Sequence, residues 1–329
     1  MSSHTVQDLA VEACKKTPEP LQPIYEFVQR YRPETAEETV RARLYEAMEQ
    51  GRIIRIARGV YFARSGSAQL LLIEGDAWEV MPKLEEGSID ALITDPPFDM
   101  GTKKWVGKGT TRPHAFMGGE RTYQQRDIDR EWLAQAFRIL KKSKEWNTLS
   151  KERKAGGHFP RGGGACAIFV PSLNRSTYPH IRELIELAES VGFVFYGSVT
   201  WDKGVMGMGY HCGRDQVMEI LLFTAGERNG VLWDLGMPNI LSVKKVNRRC
   251  APDAVEHEAE KPSELWVRLA KALTREGEIV FDPFCGRARW VKEVLSMNRH
   301  VIAADIDGKW LDRIAQEDFG YRFDLAQIS

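Results

Sequence analysis

Two short apolar runs of the chain each end in an aspartate followed by proline, residue types that together can bind a ligand. The first is SIDALITDPPF, which contains Asp95 and Pro96, and the second is EIVFDPFCG, which ends at Gly286. Such runs are typical of buried parallel strands, and open α/β sheets bind ligands where those strands end. The Asp95 carboxylate and the Pro96 carbonyl are acceptors for an amino group, and Phe98 adds an aromatic face. The sequence therefore predicts a site that holds a planar amine.

A third acid, Asp305, ends the apolar run HVIAAD near the end of the chain. In nucleotide-binding α/β folds an acid at this kind of position accepts hydrogen bonds from ribose hydroxyls. We therefore expect Asp305 to bind the ribose of a nucleotide-like ligand.

The composition limits the classes of protein to consider. With 329 residues, 43% of them hydrophobic, the chain can form one large domain and a small one. Basic and acidic residues number 46 each, so a nucleic-acid-binding face must be local. Five cysteines without CxxC spacing indicate reduced thiols and a cytoplasmic location, and we expect no metal. The apolar runs are strand-sized and the N-terminus lacks a secretion-signal pattern, which predicts no membrane association.

Residues 1–66 have the pattern of a separate small domain. Leu21–Tyr31 has helical periodicity, and a capping signal at Thr35 and Glu38 predicts a second helix. The run RIIRIARGVYFAR then alternates like a hairpin that turns at Gly59. Two helices followed by a hairpin resemble a winged helix-turn-helix, and residues 65–69 are expected to be a linker.

In a winged-helix arrangement several arginines of this domain would lie near DNA. Arg41 and Arg43 would lie on the helix that faces DNA, with Arg52, Arg55 and Arg58 on the wing near phosphates. A docking or dimerising domain is the alternative, because acidic residues nearly balance the basic ones here. Beyond this domain, the glycine-rich stretch 99–125 contains Lys103 and Lys104, which suit phosphate contact, although a solvated loop fits equally well.

TDPPF, followed late in the chain by KPSEL and DPFCG, resembles the amino-methylating DNA methyltransferases with permuted motif order. WDKGVMGMGY is similar to a stretch common in phage-like members. The resemblance implies a Rossmann-like α/β methyltransferase domain with a mostly parallel sheet over 67–329, after the small winged-helix-like domain. Its catalytic half would span 67–223, a short target-recognition segment 224–260 and the cofactor half 261–329.

The resemblance also implies an activity, the transfer of a methyl group from S-adenosyl-L-methionine to the exocyclic amino group of a base flipped out of double-stranded DNA. It assigns the catalytic motif to Asp95, Pro96, Pro97 and Phe98. Lys203 would contact a phosphate and Tyr210 would help wall the flipped base. DPPF favours adenine N6 over cytosine N4, and the protein would act as a monomer or homodimer.

Seven positions match the family's cofactor motifs. They are Asp76, Lys261, Ser263, Asp282, Phe284, Gly286 and Asp305. Asp76 would lie against the adenine, although an aspartate before a helix is equally a helix N-cap. Lys261 and Ser263 would lie near the methionine carboxylate, with Ser263 capping a helix.

The chain departs from the family after DPFCG. Members have a second glycine and then small hydroxyl residues, whereas this chain has Arg287, Ala288, Arg289 and Trp290. Alanine is not expected to copy glycine where a positive φ is required. Three accounts remain open: the long side chains point away from an active site, the chain is an inactive DNA-binding regulator, or an arginine pairs with an added negative group on a modified S-adenosylmethionine.

Overall fold

The structure, a computed structural model, describes nine stretches of the chain. These are residues 4–16, 21–97, 128–142, 163–175, 177–205, 216–226, 236–245, 261–318 and 321–324. Within them, three helices and a hairpin precede a nine-stranded sheet with helices on both faces.

Three helices come first in the chain. They are α1 (Val6–Lys16), α2 (Leu21–Tyr31) and α3 (Glu37–Glu49). The second has the bounds that its periodicity predicts. The third has Ala36 at its N-cap and no side-chain cap bond, so the predicted Thr35 cap is wrong. Thr35 lies one residue too early, and its amide donates instead to the Arg32 carbonyl at 3.0 Å.

A hairpin with two buried faces follows the helices. Its strands are β1 (Ile53–Ala57) and β2 (Val60–Ala63). On one face Ile53 and Tyr61 pack against the three helices. On the other face Ile56 and Phe62 belong to a core of the sheet domain. The hairpin therefore joins the helices to the sheet domain instead of projecting freely, and the winged-helix assignment stays a prediction.

Two of the hairpin arginines have acidic partners. Arg52 pairs with Asp8 at 2.8 Å, and Arg55 pairs with Glu85 of the sheet domain at 2.6 Å. Arg58 is exposed. Because partly exposed ion pairs are worth under about 1 kcal/mol, phosphate could still displace them. Contact of these arginines with DNA stays a prediction.

The two arginines predicted to face DNA lie on α3. Arg41 donates from Nε to the Tyr25 hydroxyl, and its guanidinium lies 5.7 Å from the centre of the Tyr25 ring. Arg43 pairs with Glu46 one turn along the helix, at 2.5 Å. Both residues are exposed, so their proposed role in DNA binding remains open to test.

The large domain is built on a single sheet. Its strands are β3 (Leu70–Glu74), β4 (Ala91–Thr94), β5 (Ala165–Val170), β6 (Phe193–Asp202), β7 (Val217–Ala225), β8 (Ile240–Ser242), β9 (Ile279–Asp282), β10 (His300–Asp305) and β11 (Tyr321–Asp324). Their order across the sheet is β11-β3-β10-β9-β4-β5-β7-β6-β8. All neighbouring pairs are parallel except those that β7 makes with β5 and β6. The predicted α/β fold with a mostly parallel sheet is confirmed.

Helices cover both faces of this sheet. They are α4 (Ala77–Lys83), α5 (Arg130–Ile139), α6 (Tyr178–Ser190), α7 (Ser263–Leu273), α8 (Val291–Ser296) and α9 (Gly308–Asp318). Val80 and Leu133 of α4 and α5 lie in one core, and Leu269, Val294 and Leu311 of the last three helices lie in the other. Burial on both sides explains why central strands such as β4 and β5 are nearly continuous apolar runs. Among the helices of the described stretches, none has the length and apolar character that a membrane crossing requires.

The order of the strands brings distant parts of the chain together. β9 and β10 come late in the chain, yet they lie between β3 and β4, the first two strands of the sheet. Since these four strands are parallel, their carboxyl ends share one edge. The acids that end the apolar runs therefore meet there.

The predicted linker ends in a buried contact. The backbone amide of Gln69 donates to His300 Nδ1 at 3.1 Å. The Gln69 side chain donates from Nε2 to the Cys14 carbonyl at 2.6 Å and accepts at Oε1 from the Ala63 amide at 3.0 Å. One residue thus ties helix α1, the hairpin and strand β10 together.

His300 must be neutral to accept this hydrogen bond, so the stability of the protein depends on pH. Burial lowers its pKa to about 4, helped by the positive charges of Arg64 and Lys141. An unfolded histidine has a pKa of about 6.5, so the unfolded chain takes up this proton first as the pH falls. Stability is therefore lost between about pH 6.5 and pH 4, and we expect about 2 kcal/mol of loss from pH 7 to pH 5.

Denaturant titrations at the two pH values measure this loss. His300→Asn keeps an acceptor for the Gln69 amide and should remove most of the loss, whereas His180→Asn at an exposed position should not. Equal pH dependence in wild type and His300→Asn would contradict the assignment.

Candidate active site

Three aspartates lie at the carboxyl edge of neighbouring strands. Asp95 follows β4, Asp282 ends β9 and Asp305 ends β10. The strands are adjacent and parallel, with Ala303 beside Asp282 in the register. The pairing of two motifs nearly two hundred residues apart, predicted from the sequence, is confirmed as a shared sheet edge.

Asp282 is the most buried of the three acids. Its Oδ1 accepts from Thr94 Oγ1 at 2.9 Å and from the Phe284 amide at 3.0 Å. Among the described residues its buried Oδ2 has no hydrogen-bond partner. Burial raises the pKa of Asp282 well above its usual value, and the charges of Asp95 and Asp305 raise it further. One buried carboxylate oxygen at the site, Oδ2 of Asp282, is therefore available to accept a hydrogen bond from a ligand.

Asp305 organises the loops around it. Its Oδ2 accepts from the Gly286 amide at 2.8 Å and its Oδ1 from the Asp307 amide at 2.9 Å. Its carbonyl accepts from the Gly75 amide at 3.0 Å. A carboxylate oxygen can accept two hydrogen bonds, so the backbone bonds do not prevent a ligand hydroxyl from bonding the same oxygens.

Asp95 and Lys261 form an ion pair across 166 residues of sequence. Their side chains are 21% and 11% exposed, so both are largely shielded from water. The Lys261 ammonium also lies 6.0 Å from the centre of the Phe169 ring on β5. The sequence motifs do not indicate this pairing, since the family resemblance places Lys261 near the cofactor and Asp95 near the base.

Asp76 and Ser263 both lie at the start of a helix, but only Asp76 is the N-cap of its helix. Asp76 is the N-cap of α4, where its side chain accepts from the Trp78 amide at 2.9 Å. The N-cap of α7 is Pro262 and no side chain caps it, so the predicted Ser263 cap is wrong. Proline at that point places Ser263 inside the first turn. Their contacts with a cofactor stay predictions.

Phe284 belongs to an aromatic cluster under the site. Its ring stacks on Trp132 at 6.1 Å between centres and meets the edge of Trp78 at 5.9 Å. The Trp78 indole donates to Asp129 Oδ1 at 3.2 Å. The cluster fixes the loop after β9 from below, a role that the motif alone did not reveal.

The unusual loop after Gly286 is folded around its large residues. Trp290 is 3% exposed and stacks on Trp266 of α7, with ring centres 4.6 Å apart and planes 7° from parallel. Ala288 has φ 39°, so the expectation that alanine cannot take the left-handed conformation of a glycine here is wrong. Arg289 is exposed, and the Arg287 guanidinium lies 5.9 Å from the centre of the Trp310 ring. Trp290 therefore fills the core between β9 and α7.

Several predicted site residues lie outside the described stretches. They are Phe98, Lys103, Lys104 and Tyr210. Lys203 is described, at the end of β6, where its amide bonds the Gln216 carbonyl at 3.0 Å and its carbonyl accepts from the Lys245 amide at 3.1 Å. The Lys244 side chain lies beside Gly204. Because β6 runs parallel to β5, these lysines lie at the same sheet edge as Asp95.

The chain is similar in sequence to DNA methyltransferases. Residues 215–317 match the N6_N4_Mtase family model, described as DNA methylase. Type II methyltransferase M.HpaI of Haemophilus parainfluenzae is 24% identical over 264 residues, which cover 73% of this chain and 71% of that protein. Type II methyltransferase M.HhaII of Haemophilus parahaemolyticus is 27% identical over 109 residues, or 33% of this chain and 45% of that protein.

Solved structures share the fold. PvuII DNA methyltransferase, described as cytosine-N4-specific, aligns with a TM-score of 0.50 and 15% identity, covering 80% of this chain and 90% of that one. The complex of M1.HpyAVI with SAM aligns with a TM-score of 0.48 and 16% identity, covering 76% and 100%. The methylase region and the type II relatives make this chain similar to the DNA amino-methyltransferase family, whose members act on adenine N6 or cytosine N4 with S-adenosyl-L-methionine as cofactor. The chain also shares the fold of such an enzyme.

Proposed function

We propose that this protein transfers a methyl group from S-adenosyl-L-methionine to the exocyclic amino group of a base in double-stranded DNA, with adenine N6 as the target. The observation that carries the proposal is the position of Asp95 and Pro96 at the sheet edge that also holds Asp282 and Asp305. An acceptor pair for an amine thus lies beside acids suited to a nucleoside ligand.

The described residues fit S-adenosyl-L-methionine. Asp305 offers carboxylate oxygens to ribose hydroxyls, and Oδ2 of Asp282, which has no partner among the described residues, suits an N–H or O–H donor. Gly286 has φ 52° and no side chain, which permits close approach of a ligand to the backbone. Trp290 lies in the core, so it does not fill this region.

The chain's own residues account for the reaction by positioning and charge. The bound cofactor would supply an electrophilic methyl group on a sulfonium and would leave as S-adenosylhomocysteine once the methyl–sulfur bond breaks, and the methylated nitrogen would release one proton. The target base must leave the helical stack, because its amino group is otherwise inaccessible to the chemistry. The Asp95 carboxylate and the Pro96 carbonyl accept hydrogen bonds from the two N–H groups of the amine. These bonds align the nitrogen lone pair and stabilise the positive charge that develops on the nitrogen. Phe98 would stack on the base.

A calorimetric titration with S-adenosyl-L-methionine tests the cofactor site. We expect saturable binding well below about 1 mM. Asp305→Ala should weaken it by about tenfold or more, because hydrogen bonds to a charged acceptor are lost. Asp312→Ala removes an exposed acid of α9 and serves as the matched control. A thermal melt of each variant distinguishes a lost contact from an unfolded protein.

The same titration separates enzyme from regulator. A catalytically silent DNA-binding protein, the alternative raised by Arg287 to Trp290, should bind DNA but show no cofactor binding. If wild type binds the cofactor, nucleoside mass spectrometry of treated, unmethylated DNA of mixed sequence identifies the product. N6-methyldeoxyadenosine supports the proposal, and N4-methyldeoxycytidine corrects its target base.

A further inference from the structure

The residue expected to hold the target base is already engaged in the free protein. Oδ2 of Asp95 is bound by the Lys261 ammonium, and both side chains are shielded from water. An amino group that approaches Asp95 would therefore compete with a full positive charge. It would also become positive itself during methyl transfer, beside that same ammonium.

Lys261 lies at the start of helix α7, next to an aromatic ring. It directly precedes Pro262 and helix α7, so its backbone is fixed at the start of a buried helix. Below its ammonium lies Phe169, which contacts Trp266 at 5.5 Å between ring centres, and Trp266 in turn stacks on Trp290. A ring face supports a cation without fixing which anion it pairs with. The unusual Trp290 thus lies at the base of the stack that supports Lys261.

Charge complementarity indicates a second partner for Lys261. Asp95 and Asp305 make this sheet edge acidic, which suits the ammonium and hydroxyl groups of S-adenosyl-L-methionine but repels its carboxylate. Lys261, which pairs with Asp95 at this edge, is a suitable counter-ion for that single anionic group.

We propose that Lys261 exchanges partners, pairing with Asp95 in the free protein and with the carboxylate of the methionine moiety in the cofactor complex. The inference rests on the function proposed above. The exchange makes Lys261 a positioning residue, because it releases the Asp95 carboxylate for the amino group only when the methyl donor is bound. Cofactor binding would then precede stable capture of the base.

The exchange predicts that substitutions of Asp95 and of Lys261 have opposite effects on ligand affinity. The probe is S-adenosylhomocysteine, which keeps the carboxylate, and the comparison ligand is 5′-deoxy-5′-methylthioadenosine, which lacks it. Asp95→Asn frees Lys261 from its competitor and should tighten binding of S-adenosylhomocysteine by about fivefold or more. Lys261→Met should weaken it by about fivefold or more, and by a larger factor when Asp95→Asn is also present. Neither change should alter binding of methylthioadenosine.

Calorimetry on the full chain measures all four proteins, and Lys271→Met, at the other end of α7, controls for loss of a lysine. Unchanged or weaker binding of S-adenosylhomocysteine by Asp95→Asn overturns the exchange. Equal loss of both ligands in Lys261→Met also overturns it, since the carboxylate would then not be the partner. If wild type binds neither ligand, the proposed function fails as well, which distinguishes the two failures.

Discussion

Replacing Asp95 with alanine should lower methyl transfer to DNA by about a thousandfold without weakening cofactor binding. Asp95 is expected to accept an N–H of the target amino group and to stabilise the charge that forms on nitrogen, and loss of one such preorganised group costs about a hundred- to a thousandfold. Transfer of a tritiated methyl group to DNA measures the rate, and calorimetry measures cofactor affinity.

A graded series makes this prediction sharper. Asp95→Asn keeps one acceptor oxygen and should retain more activity than Asp95→Ala, although it binds the product more tightly if Lys261 exchanges partners. Asp312→Ala, an exposed acid on α9, should match wild type. Full activity in Asp95→Ala would show that the amine is held elsewhere, and loss of folding would show up in a thermal melt.

The carboxyl edge of the sheet could be predicted from sequence because its signals are local. A buried parallel strand needs a run of apolar residues, and the polar residue that follows it must lie at the strand end. Asp95, Asp282 and Asp305 each follow such a run, so their positions could be read without knowing the strand order. Nothing local encodes the Lys261 to Asp95 pair, because the fold alone brings Lys261 next to Asp95.

The second strand of the hairpin carries a sequence signal of burial on both faces. A wing with one face in solvent should alternate apolar and polar residues, yet VYFA of β2 is apolar throughout and all four residues are buried. Such a run indicates burial on both faces, as observed between the helices and the sheet domain.

The predicted cap at Thr35 differs from the observed N-cap by one residue. A capping signal locates a helix start only to within a residue or two, and here Ala36 is the N-cap.

A large residue where relatives have a small one cannot be interpreted from sequence alone. The substitution is harmful if the side chain enters a ligand pocket and harmless if the core has grown to receive it. For Trp290 the outcome depends on Trp266, twenty-four residues earlier in the chain and on another element. The stack between them is the physical reason for treating the loop as an adaptation.

Restoring a family-like small residue at Trp290 should therefore damage this protein. Trp290→Ser would leave a cavity against Trp266 and is expected to lower the free energy of unfolding by about 3–5 kcal/mol, as for other buried aromatic truncations. Trp290→Phe keeps most of the contact and removes an indole N–H that has no partner among the described residues, so its cost should be below about 1.5 kcal/mol. Denaturant titrations measure both.

Arg289→Thr is the matched control, because it restores a small hydroxyl residue at the exposed neighbouring position and should change stability by less than about 0.5 kcal/mol. If Trp290→Ser proved as stable as wild type, the stack would not explain the loop.

Together with cofactor titrations, these variants distinguish an active enzyme from an inactive regulator. An active enzyme with a repacked loop should lose stability and cofactor affinity together in Trp290→Ser, since the stack also supports Lys261, and should keep both in Trp290→Phe. A regulator that has lost its cofactor site would lose stability alone.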